Sequence, residues 1–197
     1  MTAPFGGRTE LSDETFEGLD LAGAELRGLV FRGCKFAQCN LSNAHLSMAR
    51  FEDCAFEACS LANATLAGAR LQGVTFGGSK LVGLDFRACD SALLDVTLDD
   101  ADLSYAIFTG MRLRKASFVR AKLIDADFSG CDLAGADFTG AQLRGANFSA
   151  STLRKADFRG ATGYAIDPRG CDLAGARFSL PDVVGLVAVF GVVVDGT

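Results

Sequence analysis

The sequence predicts an all-β fold, a solenoid whose coils have four flat faces and whose C-terminal end carries a short helical cap. Three observations lead there. Leu or Phe recurs at every fifth residue, a small residue precedes most of them by two positions, and the Phe subset repeats at twenty. At 197 residues, with 49% hydrophobic and 22% charged, the chain can bury a core and is too apolar to be disordered. Its 23 glycines, 16 phenylalanines and 3 prolines, with no tryptophan, form the narrow apolar alphabet of a repetitive core.

In the first run, Phe16, Leu21, Leu26, Phe31 and every fifth residue on to Phe86 are Leu or Phe, at all fifteen positions. The second, Leu93 to Phe158, complies at fourteen of fourteen, and Leu173 and Phe178 resume its frame. Ala24, Cys34, Cys39, Ala44, Ala101, Ala106 and Cys131 illustrate the small position. A period of five matches neither the 3.6 of a helix nor the 2.0 of a strand, so the backbone must turn a corner at each unit. Phe16, Phe36, Phe56 and Phe76, like Phe118, Phe138, Phe158 and Phe178, then set the circuit at twenty residues. Four faces close one coil, and like residues stack about 4.8 Å apart in successive coils.

Phe86 and Leu93 are seven apart, a two-residue slip at which the coil must bulge. The expected organisation is an N-terminal tail (1–10), a first run (11–90), a second run after the slip (91–179) and a C-terminal helix and tail (180–197). Gly and Pro interrupt the second run at 163–170, which reads as a looped corner. Ser179 is a candidate N-cap and Pro181 a first-turn residue for a helix over 183–190, stopped by Gly191 and followed by a short strand over 192–194. Because a solenoid end exposes core and strand edges, Val183, Val184, Leu186, Val187 and Phe190 are expected to cap it or to join a second copy.

The N-terminus lacks a basic segment followed by an apolar one, and the apolar run 183–194 is shorter than the roughly 20 residues of a membrane span. A cytoplasmic protein without membrane attachment is expected. Cys34, Cys39, Cys54, Cys59, Cys89, Cys131 and Cys171 share the small, inward frame position, so they read as reduced core residues rather than disulfides or zinc ligands. His45 is alone and faces outward beside Leu46, and the glycines mark corners rather than a phosphate loop. No enzyme, cofactor or metal site is expected.

The net charge of −5 offers no cationic excess for nucleic acid. Duplex DNA carries one negative charge per about 1.7 Å, so imitating it uniformly would need roughly three per coil. The distribution therefore matters more than the total. Residues 85–102 concentrate Asp85, Asp90, Asp95, Asp99, Asp100 and Asp102 against Arg87 alone, which makes them the candidate partner-binding patch. Arg112, Arg114, Lys115, Arg154 and Lys155 gather on another face with Asp95 and Asp132. Its neighbour holds Asp99, Asp100, Asp137 and Asp157 with Arg120 and Arg159.

Units such as Ala-Asp-Leu-Ser-Tyr at 101–105, Ala-Asp-Phe-Ser-Gly at 126–130 and Ala-Asn-Phe-Ser-Ala at 146–150 resemble the A(D/N)LXX signature of the pentapeptide-repeat family. The resemblance extends over roughly 11–178 and implies a right-handed quadrilateral β-helix. The ending, from Ile166-Asp167-Pro168-Arg169 to Phe190-Gly191-Val192, is similar to that of gyrase-protecting members, which confer resistance to quinolones, microcin B17 or albicidin. For this chain it implies a homodimeric rod, joined through its C-terminal segment, that imitates DNA, occupies the DNA site of DNA gyrase and counters a topoisomerase poison. The loop insertions of plasmid-borne members are absent. The competing expectation is a generic scaffold that binds another protein.

Overall fold

The computed structural model describes residues 4–90 and 94–193. The chain divides into two compact units, residues 1–102 and 103–197, and each is a parallel β-solenoid of the expected four-faced kind.

In the first unit, the segments that bear Phe and Leu flanked by extended polar residues become short strands. These are β1 (Glu10–Ser12), β2 (Thr15–Glu17), β3 (Val30–Arg32), β4 (Lys35–Ala37), β5 (Arg50–Glu52), β6 (Ala55–Glu57), β7 (Arg70–Gln72), β8 (Val74–Thr75) and β9 (Val96–Thr97). They form two parallel sheets, β1-β3-β5-β7 and β2-β4-β6-β8-β9. Pairing of Phe31 with Phe51 and of Phe36 with Phe56 sets the register at twenty. The other two faces are held by single parallel bridges, Asp20 to Asn40 to Ser60 to Lys80 and Glu25 to His45 to Thr65.

The slip is visible in the pairing. Val74 faces Val96, Thr75 faces Thr97 and Lys80 faces Asp102, each 22 residues on. Asp90 still follows the regular register, its N–H donating to the Ala69 carbonyl. The surplus pair therefore enters between Asp90 and Val96, a stretch that includes 91–93, outside the described residues. A 3₁₀ turn, Phe86–Ala88, precedes it, with the Asp85 side chain accepting the Arg87 N–H.

The second unit repeats the geometry with β-turns on its faces: Ala106 N–H donates to the Leu103 carbonyl, Met111 to Phe108, Ala116 to Leu113 and Ala121 to Phe118. Bridges join Arg112 to Asp132 to Thr152 to Asp172 and Ser117 to Asp137 to Asp157 to Arg177. Each corner residue two places after Leu or Phe turns into the left-handed region, as at Gly130 (φ 66), Lys115 (φ 59) and Lys155 (φ 58). Gly serves best there, and a side chain costs roughly 1 kcal/mol or more.

Parallel stacking superimposes rings in columns. Phe118, Phe138 and Phe158 lie 5.0 and 4.9 Å apart, centroid to centroid, within 6° of parallel. Rings of adjacent faces meet edge-on, as Phe128 and Phe138 do at 5.7 Å and 86°. Both arrangements suit the ring quadrupole and leave little internal space.

The ends differ from the middle. Residues Pro4–Gly7 form a 3₁₀ turn, and the Phe5 ring lies 5.0 Å from Phe16 and 5.6 Å from Phe31, covering the first coil's core. At the other end a 3₁₀ turn, Asp182–Val184, leads into the one-turn helix α1 (Gly185–Ala188). The helix is thus shorter than the 183–190 expected: its first residues wind as the 3₁₀ turn and it ends at Ala188, with Gly191 at φ 70 beyond Phe190. Ser179 does not cap it: its hydroxyl accepts the Gly160 N–H, 2.8 Å away, and binds the turn to the solenoid instead. Residues 192 and 193 are not a strand, and Val194 lies outside the described residues.

Candidate interaction surfaces

The six aspartates from 85 to 102 follow the winding of the coil instead of gathering on one plane. Asp85 continues the face of Glu25, His45 and Thr65. Asp90 stands over Arg70, Asp95 at the following corner, Asp99 and Asp100 just past Leu98, and Asp102 opposite Lys80. Asp95 and Asp100 are exposed, while Asp99 and Asp102 are half-buried.

Asp85 and Asp90 each meet an arginine. Asp85 accepts from Arg87 Nε at 2.9 Å and Nη2 at 2.8 Å, and the Arg87 hydrogen bond draws its carboxyl below the usual range. Asp90 Oδ2 lies 3.2 Å from Arg70 Nε. Arg70 is 20 residues away from Asp90 in sequence, and its contribution becomes visible only once successive coils are superimposed.

The same stacking builds ion-pair ladders on other faces. Arg32 bridges Glu10 and Glu52 at 3.3 and 2.9 Å, and Lys35 meets Glu57 at 2.8 Å. In the second unit Arg159 holds Asp157 at 2.7 Å and Arg154 holds Asp172 at 3.0 Å. Exposed pairs of this kind add little stability, about 0–1 kcal/mol each. Their consequence is a largely self-compensated surface.

The cysteines face the core, and their thiols have a role the spacing did not reveal. Cys54 Sγ donates to the Phe31 carbonyl at 3.4 Å, Cys131 to Phe108 at 3.0 Å and Cys171 to Phe148 at 2.9 Å. Ser79 and Ser151 occupy the same frame position and do likewise toward Phe56 and Phe128. Burial pushes the Cys54 and Cys59 thiols up to about 11 and that of Cys89 to about 12. All seven cysteines are free. His45 is exposed, with Nε2 3.6 Å from Glu25 Oε1. Among the described residues no group of three or more His, Cys, Asp or Glu is placed to hold a metal ion, and no helix is long and apolar enough to cross a membrane.

At the C-terminal end, Val183, Val184 and Leu186 are half-buried, while Val187 and Phe190 are 38% and 48% exposed. Leu180 (82%) and Val193 (83%) extend the apolar surface on either side. The Arg169 guanidinium lies 4.8 Å from the Phe190 ring centroid and pairs with Asp167, whose carboxyl it holds at about 2. Gly185 packs so closely on Tyr164 that a Cβ would come within 2.6 Å of its carbonyl oxygen. The Tyr164 hydroxyl is buried without a hydrogen-bond partner among the described residues, and burial, helped by the Asp182 charge, pushes it up to about 12.

Comparison with known proteins agrees with this geometry. The chain matches the family model described as pentapeptide repeat region over residues 9–86 and 85–158. QnrB1, a plasmid-mediated fluoroquinolone resistance protein, is similar in the structure of a trypsin-treated variant. The match has 27% identity and a TM-score of 0.61, and covers 94% of this chain and 89% of that one. HetL, a pentapeptide repeat protein involved in heterocyst differentiation regulation in the cyanobacterium Nostoc sp. strain PCC 7120, matches at 24% identity and a TM-score of 0.27, covering 88% of this chain and 90% of that one. No curated protein matches. With its fivefold frame, its twenty-residue parallel register and a family match over most of its length, the chain belongs to the pentapeptide-repeat family.

Proposed function

We propose that this protein binds DNA gyrase in place of DNA and protects it from a topoisomerase poison, without catalysis of its own. The observation that carries the reading is the similarity to a fluoroquinolone resistance protein over nearly the full length of both chains. The acidic winding from Asp85 to Asp102 is the surface that meets the basic DNA-binding surface of the enzyme. Charge complementarity of this kind speeds association and selects the partner more than it adds affinity. The exposed Val187 and Phe190, with Leu180 and Val193 beside them, join two copies.

The test is a supercoiling assay with purified gyrase, with and without a fluoroquinolone. Rescue of supercoiling in the presence of drug supports the reading, and neutralising Asp95, Asp99, Asp100 and Asp102 to Asn should abolish it. Neither inhibition nor rescue by the native protein would refute it. The second reading, a scaffold for another protein, is favoured by the arginine pairing of Asp85 and Asp90, which leaves the surface far from the charge density of DNA.

A further inference from the structure

The second unit carries a face of opposite sign, and the reading above makes no use of it. We propose that the face bearing Arg112, Arg114, Lys115, Arg154 and Lys155 docks an acidic, extended polypeptide segment. The proposal stands or falls independently of gyrase.

The column Arg112, Asp132, Thr152, Asp172 is fixed by parallel bridges, so its members follow one another at about 4.8 Å. Both carboxylates are engaged by an arginine of the same face: Asp132 by Arg114, which lowers its pKa, and Asp172 by Arg154 at 3.0 Å. Arg112, Lys115 and Lys155 are exposed and form no ion pair among the described residues. Within the second unit these five cations against Asp132 and Asp172 leave an excess of three positive charges, in a chain whose net charge is −5.

Corner residues fix where the lysines lie. Along that edge the sequence alternates Lys115, Gly135, Lys155, Gly175, all with positive φ. A Cβ at Gly135 would stand 3.6 Å from Lys115 Cγ, and one at Gly175 3.4 Å from Lys155 Cγ. Each lysine stem thus lies over the glycine of the next coil, in room a larger residue would take. The two ammonium groups are rooted two coils apart, about 9.6 Å. An extended polypeptide in the polyproline II conformation rises about 3.1 Å per residue with three residues per turn, so carboxylates at every third position lie along one side and keep step with them.

A polypeptide fits better than nucleic acid. On one side the adjoining face is nearly uncharged, with Ile107, Thr109, Ser129, Asn147 and Ser149 around Asp127, and on the other Asp137 and Asp157 stand among Arg120, Arg159 and Arg177. A duplex is broader than one face, so on the nearly uncharged side its phosphates would meet Asp127 and no cation. An extended chain stays within the cationic strip.

The test is fluorescence anisotropy with a labelled peptide bearing Glu at every third residue, added to the full chain at low ionic strength. Saturable binding is expected, falling at least about tenfold in the Arg112→Glu/Lys115→Glu/Lys155→Glu variant and also in 0.5 M salt. A charge-matched control, Arg27→Glu/Arg50→Glu/Lys80→Glu in the first unit, should bind like the native chain. If the reversal variant fails to fold by circular dichroism, the corresponding Gln variant takes its place. Equal loss in the control would overturn the proposal. So would tighter binding of a duplex oligonucleotide than of the peptide, or self-association that the reversal variant abolishes, which would assign the face to a second copy.

Discussion

The Cys59 thiol donates a 3.3 Å hydrogen bond to the carbonyl of Phe36, which belongs to the preceding coil and lies 23 residues earlier in sequence. Ser79 makes the same bond to Phe56 one coil later. The small frame position therefore links coils as well as filling space. Cys59→Ser should keep stability within about 1 kcal/mol, whereas Cys59→Ala loses the bond and some packing and should cost more, about 1–2 kcal/mol. Urea denaturation of the two variants distinguishes these outcomes. Equal stability of both would show that the bond contributes nothing.

The raised thiols also set a pH dependence. Cys54 and Cys59 titrate near 11 and Cys89 near 12 in the fold, against 9.0 when unconstrained. Because the unfolded chain releases these protons first, their contribution is whole below pH 9 and is lost as pH rises through 11 to 12. The melting temperature should fall steadily above pH 9. Native protein at pH 8 should leave these three thiols unreactive toward a disulfide reagent until denaturant is added.

The aromatic columns carry the core. Phe138 is fully buried, stacked between Phe118 and Phe158 and edge-on to Phe128. Truncation to Ala should cost about 3–5 kcal/mol, since neighbouring rings on a hydrogen-bonded ladder cannot close the gap. Chemical denaturation measures it, and a loss under about 1 kcal/mol would mean that the column relaxes freely.

At the C-terminal end, two substitutions should act in opposite directions. Gly185→Ala forces a Cβ against the Tyr164 carbonyl and should lower stability by about 1–3 kcal/mol. Tyr164→Phe removes a buried hydroxyl that lacks a partner among the described residues and should be neutral or stabilising by about 1 kcal/mol. Thermal melts check both. A destabilised Tyr164→Phe variant would reveal a bond to a group outside the described residues.

Within the acidic winding, Asp85 and Asp90 are each held by an arginine. Asp85→Asn with Asp90→Asn removes charges that Arg87 and Arg70 already balance. In the gyrase assay this pair should retain most protection. Loss of protection would place Asp85 and Asp90 in the contact. Val187→Glu with Phe190→Glu should yield a monomer by sedimentation if the C-terminal end joins two copies.

Much of this was legible in the chain itself. Leu and Phe at every fifth place, with small residues two before them, admit one solution in which all bulky groups face inward, so the four-faced coil and the twenty-residue register follow from Phe36, Phe56 and their counterparts. The two-residue offset at Phe86 and Leu93 likewise marks where pairing changes from 20 to 22. What depended on the tertiary structure was which side chains outside the Leu and Phe columns meet across coils. Arg70 beside Asp90, Cys59 beneath Phe36, Lys115 over Gly135 and Ser179 on Gly160 each join positions 19 to 23 apart. The physical reason is that periodicity dictates which way a side chain points. Which long polar side chain reaches which neighbour depends on rotamers and on the space left by the coil beside it.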